Sequence, residues 1–545
     1  MELQAILTHL SPAELQERVL RHARQLPAAE RRTFLNIFSQ TTSPQKAPTE
    51  SLLEEIGEWV ERLEAGHYYQ GYGWDHELGY ERAWGDESWA EEADDLFTRA
   101  DAAFLAGERS LACKAYELLL EAFLLDDEGI FCGPSPPQEM VVADLAEAKA
   151  RYFRALFETT SAAERADLLL DAMNTLQWVG PHVGLGEVLQ ADSAPLADFE
   201  EFLPLWLEVL RQEDTPQHQS ETMVRKLLVE AVLLSQGTDG LREVARERGE
   251  YLAWVEALAG EGRRADAIAA ALEGVAHVCH AHARGLLGEA LARLATAQGD
   301  AELLLKARRI EWRAGPSPAR LVHLCQAAEA AGSLKVILTQ ETSDYRAGQL
   351  PLSASLACQL LLLTRDYHEV LELFQQGKAL GWSNSDHPGM IVLPFLLLAG
   401  SKAFSPLPGT WLSQLWNALD TGFRGFLVAA CHRQPPEPEE ADRFLSVART
   451  AIEQRVHSIV SNKHRGAYDR AARLAAAYAE ATSLYERSPE GWGLLQSVRS
   501  AFPRHYAFQD ALDGAVQSSP LLRGRIAEKR RGTRQALGAG NAGFA

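Results

Sequence analysis

Apolar residues that return every third or fourth position, between repeated helix-start signals, commit this chain to helices. Leu111, Ala115, Leu118, Leu119 and Ala122 fall on one helical face at that spacing. Ser11-Pro12-Ala13-Glu14 places a capping hydroxyl, a proline at the first helical position and a carboxylate at the third. Ser88 with Glu91 and Ser161 with Glu164 repeat the capping-box spacing, and Ser317-Pro318 and Ser488-Pro489 look similar. Alternating strand patterns are scarce, so an all-α fold is expected.

At 545 residues the chain is long enough for several domains or one extended array. Two segments favour an array of helix pairs. Leu96, Ala100 and Phe104 lead to Gly107, after which Ala112, Tyr116 and Leu119 continue on a second helix. Tyr251, Val255 and Leu258 lead to Gly262, followed by Ala267, Ala271 and Leu272. Glycine supplies the turn between antiparallel helices, and the small residues let their backbones approach.

These segments resemble the tetratricopeptide pattern. Gly107 and Gly262 match its inter-helix turn, Ala112 and Ala267 the small residue of the second helix, and Ala100 that of the first. Val255 stands where a small residue belongs, and the terminal proline is absent from both. The resemblance therefore implies a related α-solenoid with a concave protein-binding surface. A second resemblance, to helical regions of uncharacterised bacterial proteins, some attached to SWIM zinc fingers, lies later. It is carried by Leu380-Gly381-Trp382-Ser383 with His387-Pro388-Gly389, by Arg465 to Ala472, and by Arg504 to Phe508. The CxC half of the SWIM metal motif is missing, so no zinc is implied.

Proline and polar clusters suggest the boundaries, since they neither continue a helix nor fill a core. The expected order is an N-terminal helical segment (1–40), a linker (41–50), the repeat array (51–434), a linker (435–440), a C-terminal helical unit (441–520) and a basic, disordered tail (521–545). Ile391 to Ala399, the most apolar stretch, contains Pro394 and is half the ~20 residues needed to span a bilayer. It reads as a buried helix.

The formal charge is −22, which repels phosphate backbones and anionic lipid on average. Six scattered cysteines without CxxC spacing, and a start lacking a signal-peptide pattern, point to a reducing, cytoplasmic compartment. No HExxH, GxSxG or P-loop signature occurs, so neither catalysis nor a cofactor is expected. Catalysis by an unrecognised site is the alternative. Gly71-Tyr72-Gly73 lacks the third glycine of a phosphate cradle and reads as a flexible turn. His277, Cys279, His280 and His282 carry ligand-type side chains, but on one continuous helix they point to different faces, so no metal site is expected.

Three features remain as candidate surfaces. His67 to Trp89 is rich in large aromatics, of which Tyr72, Trp74, Tyr80 and Trp84 are candidate partner-binding residues, with Trp382 and His387 further along. The segment is either a recognition patch or a loop pinned to the first helix pair. Asp86, Glu87, Glu91, Glu92, Asp94 and Asp95 suit a helix start, with calcium as the alternative. Arg523, Arg525, Lys529, Arg530 and Arg531 form a basic tail that is either solvated or touches nucleic acid or an acidic partner. The functional expectation is a non-enzymatic interaction scaffold for a protein or peptide, with a nucleic-acid accessory role through the tail as the alternative.

Overall fold

The computed structural model describes residues 49–77, 79–128, 130–213, 223–376, 380, 387–401 and 406–523. The N-terminal helical segment, the Ser11 capping box, Trp382 and the tail beyond Arg523 lie outside these residues. The chain divides into two compact units, Met1–Leu241 and Arg242–Ala545.

The first unit opens with helix α1 (Thr49–Glu64), followed by strands β1 (Tyr69–Asp75) and β2 (Tyr80–Gly85). Helices α2 (Ser88–Leu105) and α3 (Arg109–Ala122) form the pair anticipated around Gly107. A 3-10 turn (Phe123–Glu128), α4 (Pro137–Met140), α5 (Leu145–Thr159), α6 (Arg165–Thr175), α7 (Leu185–Gln190) and α8 (Phe199–Glu213) follow. Helix α3 packs against α1, α2 and α5. Its Ala112, Ala115 and Tyr116 are fully buried, as are Trp59, Ala100 and Trp89 around them. Helix α9 (Met223–Arg248) runs through the unit boundary and is broken at Gly237, where φ is 68° and ψ −170°.

The second unit begins with four helix pairs: α10 (Tyr251–Gly260) with α11 (Arg264–His277), α12 (Ala281–Gln298) with α13 (Ala301–Ala314), α14 (Pro318–Ala330) with α15 (Leu334–Arg346), and α16 (Ala354–Thr364) with α17 (Tyr367–Gln376). Successive pairs start 30, 37 and 36 residues apart, near the ~34 of a tetratricopeptide repeat. All four turns share one geometry. Gly262, Gly299, Gly332 and Arg365 have positive φ, and the next helix begins two residues later each time. The residue after each donates its backbone N–H five positions back, as Arg263 does to Leu258 and Asp366 to Leu361, both at 2.9 Å. Such bonds satisfy carbonyls that a helix end leaves unpaired.

Helices α18 (Gly389–Ser401), α19 (Trp411–Asn417), α20 (Thr421–Arg433), α21 (Pro438–Ser461), α22 (Tyr468–Leu484), α23 (Ser488–Ala501) and α24 (Tyr506–Ser518) complete the unit. Val392 to Ala399 are buried in α18, as their hydropathy implied. Helix α22 is the hub, packed by α18, α19, α21, α23 and α24. Its Ala471, Ala472, Ala475 and Ala476 have no exposed surface, and their short side chains let several helices approach one axis. The described residues thus form an all-α array of antiparallel helix pairs of the solenoid class.

Three local expectations are corrected. One short hairpin of β1 and β2 joins the expected helices, and Gly71-Tyr72-Gly73 lies within β1 rather than in a turn. Helix α2 is not capped by Ser88: the Ser88 N–H bonds the Asp86 carboxylate at 3.0 Å, and the preceding residue, Glu87, forms the cap position. The helix carrying His277 ends there, because Val278 has extended ψ of 124°, so His282 lies on a separate helix that begins at Ala281. Ser317 does cap α14, accepting the Arg320 N–H at 3.3 Å, with Pro318 in the first turn.

Candidate functional site

The aromatic stretch becomes an antiparallel hairpin with its base locked into the first unit. In its register Tyr72 faces Ala83, Trp74 faces Glu81 and Asp75 faces Tyr80, with a bulge between Tyr69 and Gly71. Tyr68 and Trp89 flank the strands and are buried. The Tyr68 hydroxyl donates to Glu92 at 2.9 Å and accepts from Arg62 at 3.0 Å, while Arg62 also pairs with Glu92. Burial raises the Tyr68 pKa, which keeps the hydroxyl protonated as donor. The Trp89 indole N–H donates to the Cys132 carbonyl at 2.9 Å, and its ring meets Phe131 edge-on. A Cβ at Gly85 would stand 1.8 Å from the Tyr68 carbonyl oxygen, so only glycine fits there.

The two sheet faces differ. Cross-strand neighbours share a face, so Trp84, Arg82 and Tyr80 lie with Gly71, Gly73 and Asp75. This face is tied back. The Arg82 guanidinium lies over the Trp84 ring at 4.2 Å and pairs with Glu87 at 2.8 Å, and the Tyr80 hydroxyl donates to the Pro134 carbonyl at 2.7 Å. Gly133 also bonds the Ala83 carbonyl from the outer side of β2 at 3.0 Å. Tyr72 and Trp74 occupy the opposite face and are 66% and 54% exposed. Among the described residues β1 pairs with β2 alone, and no strand lies along its outer edge.

The other sequence candidates do not gather here. In the second unit, the His387 Nδ1 accepts the Gly389 N–H at 2.9 Å, which turns the ring to its own helix start. Trp382, Arg525, Lys529, Arg530 and Arg531 lie outside the described residues, and Arg523 is exposed. In the first unit the acids near α2 engage protein donors: Asp86 the Ser88 N–H, Glu87 Arg82, Glu92 Tyr68, and Asp94 the Val142 and Ala143 N–H groups at 2.8 Å. The His277 Nδ1–H donates to the Glu273 carbonyl at 2.8 Å, and the ring stacks on Tyr251. Among the described residues no group of three or more His, Cys, Asp or Glu side chains could hold a metal.

Sequence reasoning passed over one charged surface. Lys306, Arg309 and Arg313 stand three and four positions apart on α13, so they share a helical face. With Arg284 of α12 they line a cavity of about 290 Å³. The spacing was the available signal, hidden in an acidic chain where single basic residues draw little attention.

Paired helices joined by a repeated turn define the class: a helical-repeat protein. No protein-family model matches the chain, and no curated protein matches it. Several solved structures are similar to it. The crystal structure of the maize pentatricopeptide repeat protein PPR10 is 15% identical, with 96% of this chain and 68% of that chain covered, at a TM-score of 0.25. A monomeric mutant of IFIT1 with Gppp-AAAA is 10% identical over 84% and 95%, at 0.17. A circular tandem repeat protein with novel repeat topology is 16% identical over 90% and 99%, at 0.16. Scores this low reflect locally aligned helices without a shared course, so the fold class rests on the helix pairs of this chain. The resemblance to SWIM-associated proteins gains no support. Among the described residues no helix is long and apolar enough to cross a membrane.

Proposed function

We propose that this chain is a non-catalytic scaffold that binds a protein or peptide partner at the β1–β2 hairpin. The supporting observation is the division of labour among the aromatics: Tyr68 and Trp89 are buried anchors, whereas Tyr72 and Trp74 project outward from the secured hairpin. Rigid aromatics contribute large contact area at low entropic cost and dominate interface hot spots. Among the described residues no strand pairs with the outer edge of β1, an arrangement that suits an extended peptide adding a strand there. A reducing, cytoplasmic setting fits the six cysteines, all of which are unpaired.

The test is affinity capture from the native host with the full chain and a Tyr72→Ser/Trp74→Ser variant, followed by affinity measurement on the captured partner. Loss of these two rings is expected to weaken the partner at least tenfold, about 1.4 kcal/mol or more, with an unchanged melting temperature because both side chains are exposed. Full partner retention by the variant overturns the hairpin site. A reproducible capture of nucleic acid alone would instead favour the accessory role.

A further inference from the structure

We propose that the cavity between α11, α12 and α13 binds a phosphate monoester carried on a side chain of a partner peptide. Its charge is the starting point. Arg284, Lys306, Arg309 and Arg313 line it, and no acidic or aromatic side chain does. Two of these cations are already partnered. Arg309 bonds the buried Glu341 carboxylate at 2.6 Å, and Arg313 bonds it at 2.9 Å and pairs with Asp344 as well. These carboxylates hold the two guanidinium groups in place from α15. Arg284 and Lys306 have no ion pair or side-chain hydrogen bond among the described residues. The cavity therefore keeps a surplus of two positive charges, in a chain whose formal charge is −22.

A phosphate monoester carries close to two negative charges at neutral pH and offers three acceptor oxygens. It matches the surplus as one compact group. Guanidinium forks suit its oxygens, and three of the four cations are arginines. The cavity takes one side chain rather than a strand of polymer, and Val275, Ile310 and Ala314 supply apolar wall for the peptide around it. Nucleic acid is disfavoured on two counts: no aromatic lining offers a stacking platform, and the net charge repels a polyanion. Close helix packing builds the site. Gly288 lets α13 approach α12 until a Cβ there would stand 2.9 Å from Glu311 Cγ.

The site is independent of the hairpin, so either can fail without the other. The test uses the full chain and fluorescence anisotropy with a phosphoserine peptide library of degenerate flanks. Its unphosphorylated counterpart, free O-phosphoserine and a short single-stranded RNA serve as competitors. Phosphopeptide binding is expected, weakened tenfold or more by Arg284→Ala and by Lys306→Ala and reduced by added salt. Neither substitution removes an internal partner, and circular dichroism of each variant is expected to match the parent. The Tyr72→Ser/Trp74→Ser chain should bind the library as the parent does. Equal binding of the unphosphorylated library, displacement by RNA, competition by free O-phosphoserine at the peptide's own affinity, or unchanged binding by both variants overturns the proposal.

Discussion

Lys149 of α5 is 2% exposed, and its ammonium donates to the Leu176 carbonyl at 3.3 Å. Burial pushes its pKa down to about 8, because an apolar setting penalises the charged form. Below pH 8 the group is charged in both folded and unfolded chains, and the desolvation cost is carried in full. Between pH 8 and ~10.5 the unfolded chain binds more protons, so stability rises with pH. Lys149→Met is therefore expected to stabilise the protein by about 1–3 kcal/mol at pH 7. The difference between the two melting temperatures should shrink as pH climbs from 8 to 10.5, a trend that thermal scans across pH would check. At this scale the sequence was legible in part. The density of aromatics from His67 to Trp89 marked a special segment, but separating Tyr68 and Trp89 from Tyr72 and Trp74 required knowing which of them meet Arg62, Glu92 and Cys132. Those partners lie up to 43 residues away, beyond any local pattern.

Two helix starts in this fold are satisfied by carboxylates from other elements. In the first unit Glu230 accepts the Leu185 and Gly186 N–H groups at 2.8 and 2.6 Å, at the start of α7. In the second, Glu480 of α22 accepts from Trp411 and Leu412 at 3.2 and 2.8 Å and from the Ser519 hydroxyl at 2.6 Å. Glu480 is fully buried, so its removal takes the carboxylate acceptor from three donors at once. Glu480→Ala should cost about 2–4 kcal/mol, and Glu480→Gln, which retains one acceptor oxygen, distinctly less. Chemical denaturation of both variants measures the gap. No capping rule reveals such clasps, since donor and acceptor sit 68 residues apart. The helix pairs were more readable. Gly107 and Gly262 announced their turns, whereas Arg365 adopts the same left-handed conformation without the residue that usually signals it. The hairpin was missed for a related reason: Tyr69 and Tyr72 stand three positions apart across the bulge, so Tyr72 and Trp74 alone carry a period-two pattern, too short to read as a strand.

Each unit carries its own core, and in the second the buried cluster extends from Trp312 to Leu522. The break at Gly237 offers a place to cut without severing a helical turn. A fragment of residues 238–545 is expected to fold alone, giving a helical circular dichroism spectrum and one cooperative thermal transition. A non-cooperative melt would show that the second unit depends on the first. The sequence conveyed the all-α class through periodicity, but the division at Leu241 follows the polar, glycine-bearing run Ser235 to Gly240, which lies between apolar helical stretches and was passed over as a boundary.

The open edge of β1 has a further consequence. A strand edge with no further strand partner among the described residues, beside two protruding aromatic rings, is the kind of edge that templates an extended chain, including another copy of itself. Gly71 and Gly73 weaken that tendency, because glycine holds an extended backbone poorly. Solubility at high concentration is therefore expected to depend on what covers this edge, and a partner bound at the proposed site would also guard the molecule against self-assembly.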